Sequence, residues 1–154
     1  MRRLRLALIA LGVLLFLLIS GLLARAFSID GAERSAVAKL IQAQARGDQG
    51  AMLRLLQNCR QSPSCRERVA QNASRLAHPG NVLIVQINPS AGFSLTSTLG
   101  TARVVWRAGS ELPVTQCVHV RRAGDVISGL HIELLAISPR IQTSADCPGT
   151  SSGP

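Results

Sequence analysis

From Leu6 to Ala24 the chain runs 19 residues without a charge. As a helix rising 1.5 Å per residue that run is roughly 28 Å long, close to the hydrocarbon thickness of a bilayer. A globular helix without a polar face over five turns needs protein on every side, and a chain of 154 residues cannot supply it. The run therefore reads as a transmembrane helix. Arg2, Arg3 and Arg5 precede it, and an arginine cluster holds its own side of a helix in the cytoplasm while the other end is translocated. The expected organisation is a cytoplasmic Arg cluster with its signal-anchor (1–26), an extracytoplasmic domain (27–142) and a Ser/Gly/Pro-rich tail (143–154) tethered at Cys147. A cleaved secretory signal is the competing reading, because Ala24-Arg25-Ala26 has the small-x-small pattern of a cleavage site. Cleavable apolar regions usually run about 7 to 15 residues, so the length favours an uncleaved anchor in the cell membrane.

Topology changes what the charge means. The whole chain carries a formal +9, but residues 27–154 hold 13 basic and 8 acidic residues, a net +5. With no Tyr, one Trp and three Phe, the exported part lacks stacking platforms, and nucleic acid is not an expected partner. A basic outer surface suits anionic lipid heads or acidic envelope polymers. Sixteen of the 17 basic residues are Arg and only Lys39 is lysine, which together with abundant Ala and Gly points to a GC-rich, bacterial genome.

All four cysteines, Cys59, Cys65, Cys117 and Cys147, follow the apolar run, as expected for an oxidising compartment. Three pairings are formally open. The turn-rich segment Arg60-Gln61-Ser62-Pro63-Ser64 can bring Cys59 and Cys65 together, leaving Cys117 for Cys147. Zinc or redox chemistry has little support: neither spacing is CxxC, and the nearest His, His78, lies thirteen residues beyond Cys65.

Local signals place helices first. Asp30-Gly31-Ala32-Glu33 has capping-box spacing and predicts a helix start, with Val37, Leu40, Ile41 and Ala45 as its apolar stripe and Gly47 as its end. Asp48 can cap a second helix through Met52, Leu53, Leu55 and Leu56. Ser62-Pro63 starts a third through Val69, Ala73 and Leu76, stopped by His78-Pro79-Gly80. Strands are predicted over 82–87, 102–107, 113–122 and 126–137, the last two joined by a turn at Arg122-Ala123-Gly124-Asp125. Phe93, Leu95 and Leu99 suggest an irregular or edge strand. Beyond Thr143 little fixed structure is expected apart from Cys147.

Helices followed by an antiparallel sheet indicate an α+β domain, three helices on one face of a curved sheet. A short helix, the Gly47-Asp48 break, a second helix with Leu-Leu near its end and then an antiparallel meander resemble, over residues 30–141, the NTF2-like, cystatin-related α+β roll. The chain is similar especially to bacterial envelope proteins that carry such a domain behind one membrane helix, a group without an assigned function. The resemblance implies a binding or scaffolding role toward an envelope protein complex or lipid, of the kind found in secretion-system assembly subunits and lipid-import accessory proteins. It also implies where an acid or base would sit in the enzymatic members: inside the cone of the roll.

Residues that could carry chemistry are few. Alternation puts Thr115, Cys117, His119 and Arg121 on one face of their strand and His131 with Glu133 on one face of the next. If residue 117 lies opposite 131, then His119, His131 and Glu133 form a polar patch, an acid-base or zinc site in its sharp form and a solvated sheet face in its plain form. The plain form is expected, with no metal and no cofactor. Trp106 either lines a pocket mouth or, with Val104 on the same face, belongs to the core. No GxSxG, HExxH, phosphate loop or dinucleotide fingerprint occurs. The expected class is a non-catalytic protein. The alternative is a small-ligand or enzymatic domain with an apolar pocket.

Overall fold

The structure is a computed structural model, and it describes residues 2–78, 80–89, 98–125, 129–142 and 147. Its first helix, α1, runs unbroken over Arg2–Ala45. The predicted helix start at Asp30 is therefore corrected: no turn of backbone needs a cap there. Asp30 and Glu33 instead lie one turn apart on a continuous helix, and both face a strand arginine described below. The apolar run and the first domain helix are one element, crossing the expected boundary at 26/27.

Between Leu6 and Leu22 the large apolar side chains of α1 are 50% to 69% exposed. Among the described residues no helix is long and apolar enough to cross a membrane. The side chains described without interruption in that stretch cover residues 8–22, about 22 Å of helix. The expected transmembrane span is thus not carried by the described structure.

The end of α1 follows the sequence signals. Gly47 takes a left-handed conformation, φ 70°, and the two closing bonds of a Schellman motif form, Gly47 N to Gln44 O at 2.8 Å and Asp48 N to Ala43 O at 2.9 Å. Asp48 then caps α2 (Gln49–Leu55), its Oδ1 accepting from Ala51 N at 2.8 Å. Ser62 caps α3 (Pro63–Arg75), with Pro63 in the first turn. Ala45 O accepts from His78 N at 2.9 Å, so the far ends of α1 and α3 meet.

Four strands follow: β1 (Val82–Asn88), β2 (Thr98–Ala108), β3 (Val114–Asp125) and β4 (Gly129–Ile137). They form one antiparallel sheet in the order β1-β2-β3-β4, a simple meander. The fold is α+β, as expected. β2 begins four residues earlier than predicted and takes in Leu99, whereas Phe93 and Leu95 lie outside the described residues. β3 runs through Arg122-Ala123-Gly124-Asp125, so the turn predicted there is corrected to a point beyond Asp125.

Period-two alternation sends Ala102, Val104, Trp106 and Ala108 of β2 and Val114, Val118 and Val120 of β3 into one core, and a bulge in the β3–β4 ladder brings both Leu134 and Ile137 of β4 to it. Val37, Leu40 and Ile41 of α1, Met52 and Leu56, and Val69, Ala73 and Leu76 meet them from the helical layer. Bulges interrupt β1 between Ile84 and Gln86 and the β3–β4 ladder between His119 and Val120, and such bulges bend a sheet locally. At the opposite edge, β4 is tied to the α2–α3 connection by Gln57 N to Leu134 O, 2.7 Å.

Both disulfides are present with the expected pairing, Cys59 to Cys65 and Cys117 to Cys147. The second joins β3 to the tail, and between β4 and the tail Ser138 N and Ile141 N donate to Cys117 O and Thr115 O, continuing the β4 edge along β3. Of the tail 143–154 only Cys147 lies within the described residues, and it is buried.

Candidate functional site

The polar patch expected on the hairpin is only partly assembled. Register places Ala123, not Cys117, opposite His131, and Ala136 opposite His119. His119 is four residues from Ala123 along β3, about 14 Å at strand rise, so His119 and His131 do not converge. That part of the expectation is corrected, and the cause is the late turn: extending β3 to Asp125 slides β4 along it. His119 Nδ1 instead lies 3.2 Å from Thr101 Oγ1 on β2.

What converges is His131, Glu133 and Arg121, the last on the same strand face as His119 but outside the acid-base or zinc triad expected there. Arg121 Nε donates to Glu133 Oε2 at 2.6 Å, and His131 Nε2 lies 3.2 Å from Glu133 Oε1. The Arg121 hydrogen bond, more than any other contact, holds the Glu133 carboxyl below the usual glutamate range, and the His131 contact acts in the same direction. Glu133 is accordingly a carboxylate at neutral pH. It accepts bonds and has no proton to deliver as an acid. Among the described residues no group of three His, Cys, Asp or Glu side chains could hold a metal.

Trp106 is fully buried and lines no pocket mouth. Its Nε1 donates to Gln116 Oε1 at 2.9 Å, as a buried indole requires. Gln116 is the centre of a polar network that was not anticipated. Gln44 Nε2 donates to Gln116 Oε1 at 2.7 Å, and Gln116 Nε2 donates to Gln44 Oε1 at 3.3 Å and to Ser138 O at 3.0 Å. The Ser138 carbonyl also accepts from Asn72 Nδ2 at 2.9 Å, and the Ser138 hydroxyl accepts from Cys117 N at 2.9 Å. Both donors and both acceptor positions of Gln116 are in use. α1, β2, β3, α3 and the segment after β4 are joined by it.

The second unanticipated feature sits at the other end of the same strand. Arg122 Nε and Nη2 donate to Glu33 Oε2 at 3.0 and 2.9 Å, and Nη2 also donates to Asp30 Oδ1 at 2.7 Å. The Glu33 side chain has no exposed surface and the Asp30 side chain is about half exposed. Periodicity carries the signal for both features: Gln116 and Arg122 share the even positions of β3 with Val118 and Val120, and Glu33 and Gln44 fall four residues from Val37 and Leu40 on the buried stripe of α1.

These arrangements bind helices and strands to one another. Comparison with family models, with curated proteins and with solved structures gives no match.

Proposed function

We propose that the chain is a single-pass protein of the bacterial cell membrane, its amino terminus cytoplasmic and its NTF2-like domain outside, that binds or scaffolds another envelope component without catalysis. The observation that carries this is the first half of α1: twelve large apolar side chains from Leu6 to Leu22, each at least half exposed. Keeping that surface in water costs on the order of 20 kcal/mol, which insertion into lipid removes. The charge-free run to Ala24 has the length and Arg2, Arg3 and Arg5 have the placement that a helix oriented amino end inward needs. Two disulfides favour an oxidising compartment. The order of helices and meander supports the NTF2-like reading. The engaged state of the buried polar side chains supports binding rather than turnover.

The helix continuing through Ala24-Arg25-Ala26 favours retention of the anchor over cleavage. Mass measurement of the chain from membrane and culture fractions decides this: a mature chain lacking residues 1–26 excludes the anchor. A topology reporter fused after Pro154 is expected to signal outside the cytoplasm. A cytoplasmic signal, or four free thiols in freshly isolated protein, overturns the proposal. Crosslinking in native membranes is expected to capture an envelope protein or lipid.

A further inference from the structure

We infer that the helical layer of the domain binds a flexible acidic polymer of the cell envelope, a chain with an oxyanion on each repeat; this rests on the binding role proposed above and names its partner class. The charge of the domain is unevenly spread. Between Arg34 and His78 stand eight basic residues and two acidic ones, Asp48 and Glu67, a net +6. The remainder of residues 27–154 holds five basic and six acidic residues, a net −1. Asp30 and Glu33 count with that remainder by contact, since both are paired with Arg122 of the sheet. Every residue from 30 to 78 is described, and of the eight cations all but the half-buried Arg68 are exposed.

Among the described residues none of these eight makes an ion pair, whereas Arg121 and Arg122 of the sheet both do. Like charges gathered on one layer repel one another and lower stability. Arg60 and Arg66 flank the start of α3, where the partial positive charge of the helix end also disfavours a cation. Arg66 Nη1 nevertheless donates to Arg60 O at 2.7 Å, which keeps the two together. There the fold gains nothing from the two charges, and a negative partner does. Between Asp30 and His78 no large apolar side chain is exposed, and the segment contains no Phe, Trp or Tyr. A protein partner held by a packed apolar centre finds no anchor on it, and nucleobases find nothing to stack on. The layer offers charge alone, which suits a chain able to bend along cations carried by three helices.

Distance favours a polymer over the lipid of the same membrane. Along α1 from Ala24, where the apolar run stops, Lys39 is fifteen residues on, about 22 Å, and Arg46, just past the helix, is about 33 Å on. Headgroups reach about 5 to 7 Å beyond the hydrocarbon, and their field is largely screened over about 8 Å more. Even in a helix tilted by about 40°, Lys39 and Arg46 stand above that zone. The bond from His78 N to Ala45 O brings the end of α3, with Arg75, to the height of Arg46.

The full chain is reconstituted in neutral phosphatidylcholine vesicles and floated on a density gradient with labelled long-chain polyphosphate as the probe. Lys39→Gln with Arg66→Gln is compared with Arg107→Gln with Arg140→Gln. All four side chains are exposed and each pair lowers the net charge equally, the second pair outside the helical layer. The wild type is expected to carry polyphosphate upward with the vesicles, and the Arg107 and Arg140 pair to stay close to it. The Lys39 and Arg66 pair is expected to bind about tenfold more weakly, with a salt slope smaller by about one. Lys39→Arg with Arg66→Lys, which keeps both charges, should bind like the wild type. A floating chain that carries no polyphosphate, or equal losses from the two glutamine pairs, overturns the acidic-polymer partner while the anchor stands. Capture of added phosphatidylglycerol vesicles in place of polyphosphate makes lipid the partner and overturns it as well. A chain that stays at the bottom of the gradient overturns the anchor reading, and with it the heights that favour polymer over lipid.

Discussion

Gln116 has four hydrogen-bonding positions, and Gln44, Trp106 and Ser138 take all of them inside the core. An amide so placed contributes little net stability while paired and costs heavily when its partners are stranded. Gln116→Leu leaves the Trp106 indole without its acceptor, Gln44 without its partner and the Ser138 carbonyl with one donor fewer. Urea unfolding is expected to show a loss of about 3 kcal/mol or more. Asn72→Ala leaves Ser138 O still bonded to Gln116, so its loss is expected near 1 kcal/mol. Equal losses would mean that the network does not centre on Gln116. At the surface, Glu133 behaves differently. Its carboxyl titrates below the usual glutamate value, mainly because Arg121 donates to it. The stability it contributes is therefore complete above the ordinary glutamate value and disappears as pH falls through its own lower one. The difference between the wild type and Glu133→Gln in urea should hold constant at neutral pH and close in acid. In Arg121→Gln the Glu133 carboxyl resonance should titrate at higher pH than in the wild type.

The helical ends, both disulfide partners and the alternation of the strands were readable because each depends on residues near one another in sequence or on simple period. Asp48 and Ser62 cap where they stand, and Gly47 reverses the chain as predicted. The Asp30-to-Glu33 spacing misled for a physical reason: a capping box and a buried acidic pair one turn apart have the same spacing, and only Arg122, 89 residues from Glu33, distinguishes them. The turn after β3 failed likewise. Arg-Ala-Gly-Asp makes a good turn locally, but turning there would pull Arg122 away from Glu33 and strand a carboxylate with no exposed surface, a loss of about 3 to 5 kcal/mol. The convergence of His119 with His131 was lost with that turn. Two glycines of opposite backbone conformation bear on the stability of α1. Gly31 lies within α1 with open space where a Cβ would stand, so Gly31→Ala is expected to stabilise by about 0.5 to 1 kcal/mol through the cost that glycine carries in a helix. Gly47 has φ 70° and a Cβ there would stand 3.3 Å from Ala77 Cβ. Gly47→Ala is expected to destabilise by about 1 kcal/mol or more. Thermal unfolding of both variants checks the opposite signs.

The sheet is packed by helices on one face, and β3 is bonded through Cys117 to the buried Cys147. The two disulfides do unequal work on this plan. Cys59 and Cys65 are 6 residues apart and close a short segment whose ends Ser62 and the start of α3 already bring near. Cys117 and Cys147 are 30 residues apart and join the central strand β3 to a segment held otherwise by the Ile141–Thr115 bridge and the bonds of Ser138. In the loop-entropy account the short closure contributes roughly 2.4 kcal/mol and the long one roughly 3.7. Replacing Cys59 and Cys65 together by alanine should therefore lower stability in urea less than replacing Cys117 and Cys147 together. The second replacement should also expose amides of Thr115 and Cys117 to hydrogen exchange, because the segment paired with β3 through Ser138 and Ile141 loses its covalent hold. A larger loss from the first pair would mean that the α2–α3 connection, with Gln57 tied to β4, depends on its bridge for its native path, and that the tail is fastened by its hydrogen bonds alone.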